Sequence, residues 1–358
     1  MFKRLIFIFS LLLVSTFIFA QQQAMNKQTL SFHQAIRRGD INEMEKLLKK
    51  NKDKIDLKAF PYLATDVGIA NIEITKFLIN NGADVNAQTE YGTTPLMWAV
   101  RFHYIDTVKL LLENGANKTI NAKELGTRGD TALSLALNDY RSYKDKVRII
   151  IAILLENGAD LNMTAGGDEF TFISAISDGD FDFVELLLKN GMNLKKHSPG
   201  YLLKIARGYG GTNIEMIKLL MAYGVKPEYD LDSNSLLQEI CRSRDIQDRE
   251  VLELFINNGL DVNSYTDDNW SLLIAALETK NFDTARILIN NNAIVNCVVK
   301  GTTPLITAIR NAAPADMIKT ILDNGADPNT IDISRKTALD YAKNRGDNTI
   351  INLIQERM

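Results

Sequence analysis

The chain has 358 residues, 46% hydrophobic and 24% charged, with 41 basic against 44 acidic side chains and a formal charge of −3. That balance provides ample apolar material for a core and excludes an intrinsically disordered polymer. No block of like basic residues offers an electrostatic footprint for DNA or RNA, and two cysteines, Cys241 and Cys297, cannot form a disulfide framework.

The first element is "MFKRLIFIFSLLLVSTFIFAQQQ". Lys3 and Arg4 precede an uncharged apolar run from Leu5 to Phe19, and Ala20 stands before three glutamines. This is the charged, apolar, small-residue order of a secretory signal peptide, and the run is shorter than the roughly 20 residues that span a bilayer comfortably. Residues 1–20 are therefore predicted to be cleaved, and 21–29 to form a short linker. Cleavage removes two positive charges and takes the formal charge from −3 to −5. The expectation is an exported chain, periplasmic or secreted, with no membrane attachment afterwards; its Asn-, Ile- and Lys-rich composition suggests a bacterial source.

From residue 30 onward one pattern recurs. "LINNGADVN" at Gly82 is followed by "LLENGANKT" at Gly115, "LLENGADLN" at Gly158, "LLKNGMNLK" at Gly191, "LMAYGVKPE" at Gly224, "FINNGLDVN" at Gly259, "LINNNAIVN" at Asn292 and "ILDNGADPN" at Gly325. The intervals are 33, 43, 33, 33, 35, 33 and 33 residues. In isolation Asn81-Gly82 is a β-hairpin signal. The helical spacing of Ile72, Thr75, Phe77, Leu78 and Ile79 before it points instead to a helix end, with Gly82 in the left-handed conformation.

A second landmark runs in phase: "TTPLMWAV" at Thr94, "DTALSLAL" at Thr131, "TTPLITAI" at Thr303 and "KTALDYAK" at Thr337, with looser versions "FTFISAIS" and "WSLLIAAL". Threonine caps a helix with its hydroxyl, and proline fits the first helical position, where its missing N–H costs nothing. Ala99, Ala136, Ala175, Ala276, Ala308 and Ala342 are small enough to let neighbouring helices approach. Leu110, Leu111 and Leu112 are the predicted buried ridge of a second helix.

These paired motifs resemble the ankyrin repeat family, a β-turn followed by two antiparallel helices. The resemblance covers residues 30–358 and implies an all-α repeat solenoid: about ten ankyrin-type helix-turn-helix repeats with β-hairpin loops, in a right-handed curved stack. The repeats run at about 30–58, 59–89, 90–125, 126–165, 166–196, 197–230, 231–265, 266–298, 299–332 and 333–358. The two terminal repeats are more polar, as exposed ends require.

The chain departs from the pattern in two ways. The family's "TPLH" histidine is replaced by Met97, Ser134, Ile306 and Asp340. The 43-residue interval places four extra residues in "NKTINAKELGTRGD" and six between the helices, in "LNDYRSYKDKVR". Such insertions map to loops and can decorate a binding face.

Residues arranged for chemistry are sparse. His33, His103 and His197 lie far apart in the repeat order, and His103 reads as a plain surface histidine at an interhelix turn. No phosphate loop is present, and "DLDSNS" at Asp230 lacks the glycine and glutamate of a calcium loop. No catalytic residue, cofactor or metal is expected.

The resemblance implies a monomeric, non-catalytic protein–protein interaction module. One or more protein partners, and no nucleic acid, would bind the concave side made by hairpin tips and first helices. The projected contacts are Tyr91, Arg101, Phe102, Arg128, Trp270 and Lys300, with Tyr140, Arg141 and Tyr143 in the insertion, since aromatic and arginine side chains anchor interfaces best. The alternative is a ligand-binding or enzymatic role in the irregular repeats around 118–147 or 197–230. The signal-peptide reading predicts that the exported protein begins at Gln21. Intact-mass measurement on protein recovered from its source checks this, and a product retaining residues 1–20 would overturn it.

Overall fold

The computed structural model describes residues 27–51, 53–55, 57, 71–125, 129–163, 168–208, 212–227, 231–266 and 268–358. The expected signal peptide, and most of the opening half of the second repeat, lie outside these residues.

Among the described residues there are nineteen α-helices and no extended strand. They are α1 (Lys27–Arg38), α2 (Ile41–Asn51), α3 (Ile72–Asn80), α4 (Pro95–Arg101), α5 (Ile105–Glu113), α6 (Ala132–Asp139), α7 (Lys144–Glu156), α8 (Asp168–Ser177), α9 (Phe181–Lys189) and α10 (Pro199–Arg207). They continue as α11 (Ile214–Ala222), α12 (Leu231–Arg242), α13 (Ile246–Asn257), α14 (Leu272–Glu278), α15 (Phe282–Asn290), α16 (Pro304–Arg310), α17 (Ala315–Asp323), α18 (Ala338–Arg345) and α19 (Asn348–Gln355). The chain divides into two compact units, residues 1–171 with 189–192 and residues 172–188 with 193–358. Each is an all-α repeat stack in which first helices pack on first helices and second on second, α4 on α6 and α5 on α7 in one unit, α14 on α16 and α15 on α17 in the other.

The landmarks act as their chemistry requires. Thr94 Oγ1 accepts from the Met97 amide at 3.1 Å and Thr303 Oγ1 from the Ile306 amide at 3.1 Å, each with proline at the first helical position. The six motif alanines are buried, and of the predicted ridge Leu111 and Leu112 are buried while Leu110 is only half so. Each fully buried leucine contributes roughly 2 kcal/mol of apolar transfer free energy.

At the second helix's end the asparagine, as well as the glycine, has a defined task. Asn81 donates its side-chain Nδ2–H to the carbonyl of Phe77 at 2.8 Å, and Asn114, Asn157, Asn258 and Asn324 repeat the bond at 2.8 to 2.9 Å. One of the helix's orphan carbonyls is thereby satisfied. Gly82 then takes φ +92°, and the Ala83 amide closes on Leu78 O at 3.0 Å.

The positions that replace the family histidine find other bonds. Ser134 and Asp340 build capping boxes, accepting from the Thr131 and Thr337 amides at 2.8 Å. Where Met97 stands, the neighbouring Thr93 hydroxyl instead donates to Glu124 Oε1 at 2.7 Å.

The inserted residues correct the loop reading. Helix α7 has 13 residues against 9 in α5, so four of the six extend the helix at its N-terminal end. Val147, Ile150 and Ile151 on its inner face are buried, which gives the extra turn a packed stripe.

In the second unit a buried polar knot joins α10, α12 and α13. Asp248 is 1% exposed and accepts from Arg207 Nε at 2.8 Å, from Arg207 Nη2 at 2.9 Å and from the Thr212 hydroxyl at 2.9 Å, while Arg207 Nη1 reaches Glu239 at 2.8 Å. Burial alone would raise the Asp248 carboxyl, but bonds from Arg207, Ser243 and Thr212 outweigh it and hold the group below its usual range. Its folded pKa therefore lies below the unfolded value near 3.9, so its stabilisation is complete above about pH 4 and is lost as pH falls through the folded value. Thermal unfolding from pH 7 to pH 2 is expected to show this acid-side loss. Arg207→Met, which leaves Asp248 buried and unpaired, is expected to cost about 3 kcal/mol or more at neutral pH.

Candidate partner-binding surface

In the first unit the candidate residues gather where α4 meets the tips on either side. The tip around Thr89 is closed by Thr89 N–H to Thr93 O at 3.0 Å and Gly92 N–H to Thr89 O at 2.8 Å, which leaves Tyr91 at its apex, exposed. The next tip is tied to it by the Leu125 amide, which donates to Tyr91 O at 2.6 Å.

Helix α4 ends in Arg101 and is followed by its C-cap Phe102, and both use Trp98. Phe102 stacks on its ring at 5.5 Å and is stacked in turn by Tyr104 at 5.9 Å; the Arg101 guanidinium lies 5.6 Å from the Trp98 centroid. Residues four apart on a helix are neighbours, so Trp98 was legible as the partner of Phe102. Arg101 is not a freely offered cation: its Nη2 donates to Glu124 Oε2 at 2.7 Å, and Glu124 is buried.

The insertion supplies a second group. Tyr143 is exposed, with its ring 4.4 Å from His103, and Arg141 lies over Phe170 at 4.2 Å. Tyr140 is 1% exposed and belongs to the core, which removes it from the contact surface. Its position at the end of α6 turns it inward, and Lys144 covers its ring at 5.7 Å. His103 is likewise corrected from a plain surface residue. Its Nε2 lies 3.2 Å from Asp139 Oδ2, in a side chain mostly enclosed at φ +57°. Arg128 lies outside the described residues.

In the second unit the structure brings together two candidates from different repeats. Trp270 closes the tip at Thr266, whose amide donates to Trp270 O at 2.8 Å, and Lys300 Nζ of the following tip sits 4.7 Å from the Trp270 ring centroid. This cation–π contact fixes both side chains at the surface. Lys300 and Gly301 are the two central residues of a tight turn with φ +50° and +76°, and Val299 and Thr302 exchange backbone bonds at 2.9 and 3.1 Å. That is the primed two-residue hairpin, whose second position suits glycine. A side chain there would also meet Ile333 at 2.7 Å.

Sequence reasoning missed Arg310, Lys336 and Tyr341. Tyr341 donates its hydroxyl to Asp332 Oδ2 at 2.5 Å, and Lys336 lies 5.8 Å from its ring. Among the described residues no group of His, Cys, Asp or Glu is arranged to hold a metal ion, and no helix is long and apolar enough to cross a membrane. Cys241 is buried, which pushes its thiol up to about 12, and Cys297 is half-buried.

The chain is similar in sequence to known repeat proteins. The family model described as ankyrin repeats (3 copies) matches residues 32–122, 70–165 and 237–332, together more than half of the chain. The putative ankyrin repeat protein FPV031 of fowlpox virus (strain NVSL) is 30% identical over 226 residues, 53% of this chain and 63% of that one. FPV018 of the same virus is 34% identical over 74% of this chain and 38% of its own length. The palmitoyltransferase AKR1 of Lachancea kluyveri is 26% identical over 57% of this chain and 28% of its own length. The chain thus spans less than two thirds of each of these relatives. The solved human ASB11 ankyrin repeat domain overlaps 82% of this chain and 96% of that one, at 17% identity and a TM-score of 0.35.

The burial of Glu124 generates a test. Arg101→Ala takes the guanidinium away from a buried carboxylate and is expected to cost about 2 kcal/mol. Adding Glu124→Gln is expected to recover part of that loss, read as the urea midpoint; strictly additive losses would show that the pair contributes nothing.

Proposed function

The chain belongs to the ankyrin repeat family, and on that premise we propose that it is an exported, non-catalytic protein-binding module. Partners are held on the face formed by the tips and the ends of the first helices.

The observation that carries this reading is the Lys300–Trp270 pair. A half-buried tryptophan, of the kind that anchors interfaces, is held by the exposed Lys300 of the adjacent tip. Holding them in one geometry before a partner arrives lowers the ordering cost of association. Tyr91 and Phe102 offer the same kind of surface in the first unit. The enzymatic name carried by one relative describes that whole protein, of which this chain matches 28%.

Partner capture tests the reading. Residues 21–358 carrying a tag are expressed in the source compartment, cross-linked briefly, and the co-purifying proteins are identified by mass spectrometry. Two variants are run beside it, Tyr91→Ala/Phe102→Ala and Trp270→Ala, each first shown to keep the parent unfolding midpoint. The expected result is one dominant protein that is depleted at least severalfold by one of the two variants. A protein captured equally by both variants, or none captured reproducibly, would sink the proposal.

A further inference from the structure

The last three tips of the second unit carry a feature that the repeat pattern does not require. Two residues beyond the asparagine of each "D-x-N" or its equivalent stand Tyr265, Val298 and Ile331, exposed by 43%, 57% and 51%. The same register position in the first unit holds Gln88 and Lys123. Ile333, two residues further along the last tip, is 82% exposed. A solvated turn gains nothing from large apolar side chains at successive equivalent positions, and an apolar row rimmed by polar groups marks an interaction surface.

The three tips form a continuous strip. Lys300 spans the first and second by lying over Trp270, and the Ile333 amide joins the second and third by donating to Gly301 O at 2.9 Å.

The charge of the strip points to its occupant. Between residues 296 and 303, and between 330 and 337, every exposed charged side chain is a cation, Lys300, Arg335 and Lys336, while the exposed Asp327 and Asp340 flank the last tip on either side. Among the described residues none of the three has an ion-pair partner, whereas Asp268 on the preceding tip is held by Arg242 at 2.8 Å. Asp332, between Ile331 and Ile333, is buried and saturated by the Tyr341 hydroxyl and the amides of Ser334 and Lys336. Arg310, exposed at the end of α16, adds a fourth cation beside it. This concentration of unpaired positive charge stands on a chain whose formal charge is −3.

We infer that this strip docks an acidic protein segment bearing apolar side chains, its carboxylates meeting Lys300, Arg335 and Lys336 and its apolar groups covering Val298, Ile331 and Ile333. The inference rests on the binding-module reading and names the chemistry of one partner. Charge complementarity would steer the encounter and set specificity, while burial of the apolar row supplies most of the affinity.

The test uses the full chain and three labelled peptides, of alternating Glu-Leu, Lys-Leu and Glu-Ser, followed by fluorescence anisotropy at low and moderate salt. The Glu-Leu peptide is expected to bind, and the other two to bind far more weakly. Reversal of charge in Lys300→Glu/Arg335→Glu/Lys336→Glu is expected to weaken the Glu-Leu peptide roughly tenfold or more. Ile331→Ser/Ile333→Ser keeps the cations and is expected to weaken it similarly. Both variants alter exposed positions, and their unfolding midpoints verify the fold. Equal binding of Glu-Leu and Lys-Leu peptides, or no effect of either variant, would overturn the assignment. A chain that is dimeric and becomes monomeric in these variants would give the strip to a second copy instead and also overturn it. A native partner still captured by the charge-reversed chain but lost from Trp270→Ala or Tyr91→Ala/Phe102→Ala would refute this inference alone and leave the binding module standing.

Discussion

The described helices run from seven to thirteen residues, too short to be stable alone, and a single pair of them buries too little apolar surface to offset the entropy of ordering it. Every pair in this protein therefore depends on the pairs beside it. The buried faces follow from that dependence: α14 and α16 have nearly every side chain enclosed, because each is covered by its own second helix and by the first helices on either side. Small residues such as Ala276 and Ala308 keep the spacing tight enough for those contacts to be made.

Apolar stacking is non-directional and does not by itself fix the register between neighbours. Polar bonds between repeats do so. Asn86 donates to Gly115 O at 3.0 Å and accepts from the Thr119 hydroxyl at 2.9 Å; Asn121 donates to Gly158 O at 3.2 Å, and Asn263 accepts from the Ile294 amide at 2.8 Å. The closing asparagine of "GADVN" thus reaches the turn of the following repeat. The knot of Arg207 and Asp248 and the pair of Arg101 and Glu124 do the same work with charge, at places where a shift in register would strand a buried carboxylate. With register fixed, the tips become a row of defined positions, and a side chain at one tip acquires a predictable neighbour at the next.

Much of this was legible in the sequence because the period repeats each signal. A lone Asn-Gly is ambiguous between hairpin and helix end, and its regular recurrence behind an apolar helix resolves it. Thr94, Thr131, Thr303 and Thr337 were likewise readable as caps from local chemistry. The errors came where tertiary packing overrides local pattern. The insertion reads as a loop because Tyr140, Arg141 and Tyr143 are polar or aromatic, yet the residues after them continue α7, since Val147 keeps its stripe in phase with the core. Tyr140 looked like a contact residue by type and is buried by position. Arg101 was selected for its charge, but its partner Glu124 lies 23 residues away, at a separation no local rule spans. The apolar residues at Val298 and Ile331 were visible but unremarkable until the tips were aligned in space.

The same helix ends have a chemical side. Asparagine followed by glycine is the sequence most prone to deamidation, which begins when the glycine nitrogen attacks the side-chain amide carbon. In five of these pairs both reactants are restrained. The amides of Gly82, Gly115, Gly158, Gly259 and Gly325 donate to carbonyls three residues back at 3.0 to 3.1 Å, and the asparagine side chains are anchored a turn below. Attack requires both bonds to open, which is the fraying of that helix end. The folded stack thus slows its own chemical ageing, and a repeat that loosens acquires new carboxylates at its helix terminus, where the negative end of the helix dipole disfavours them.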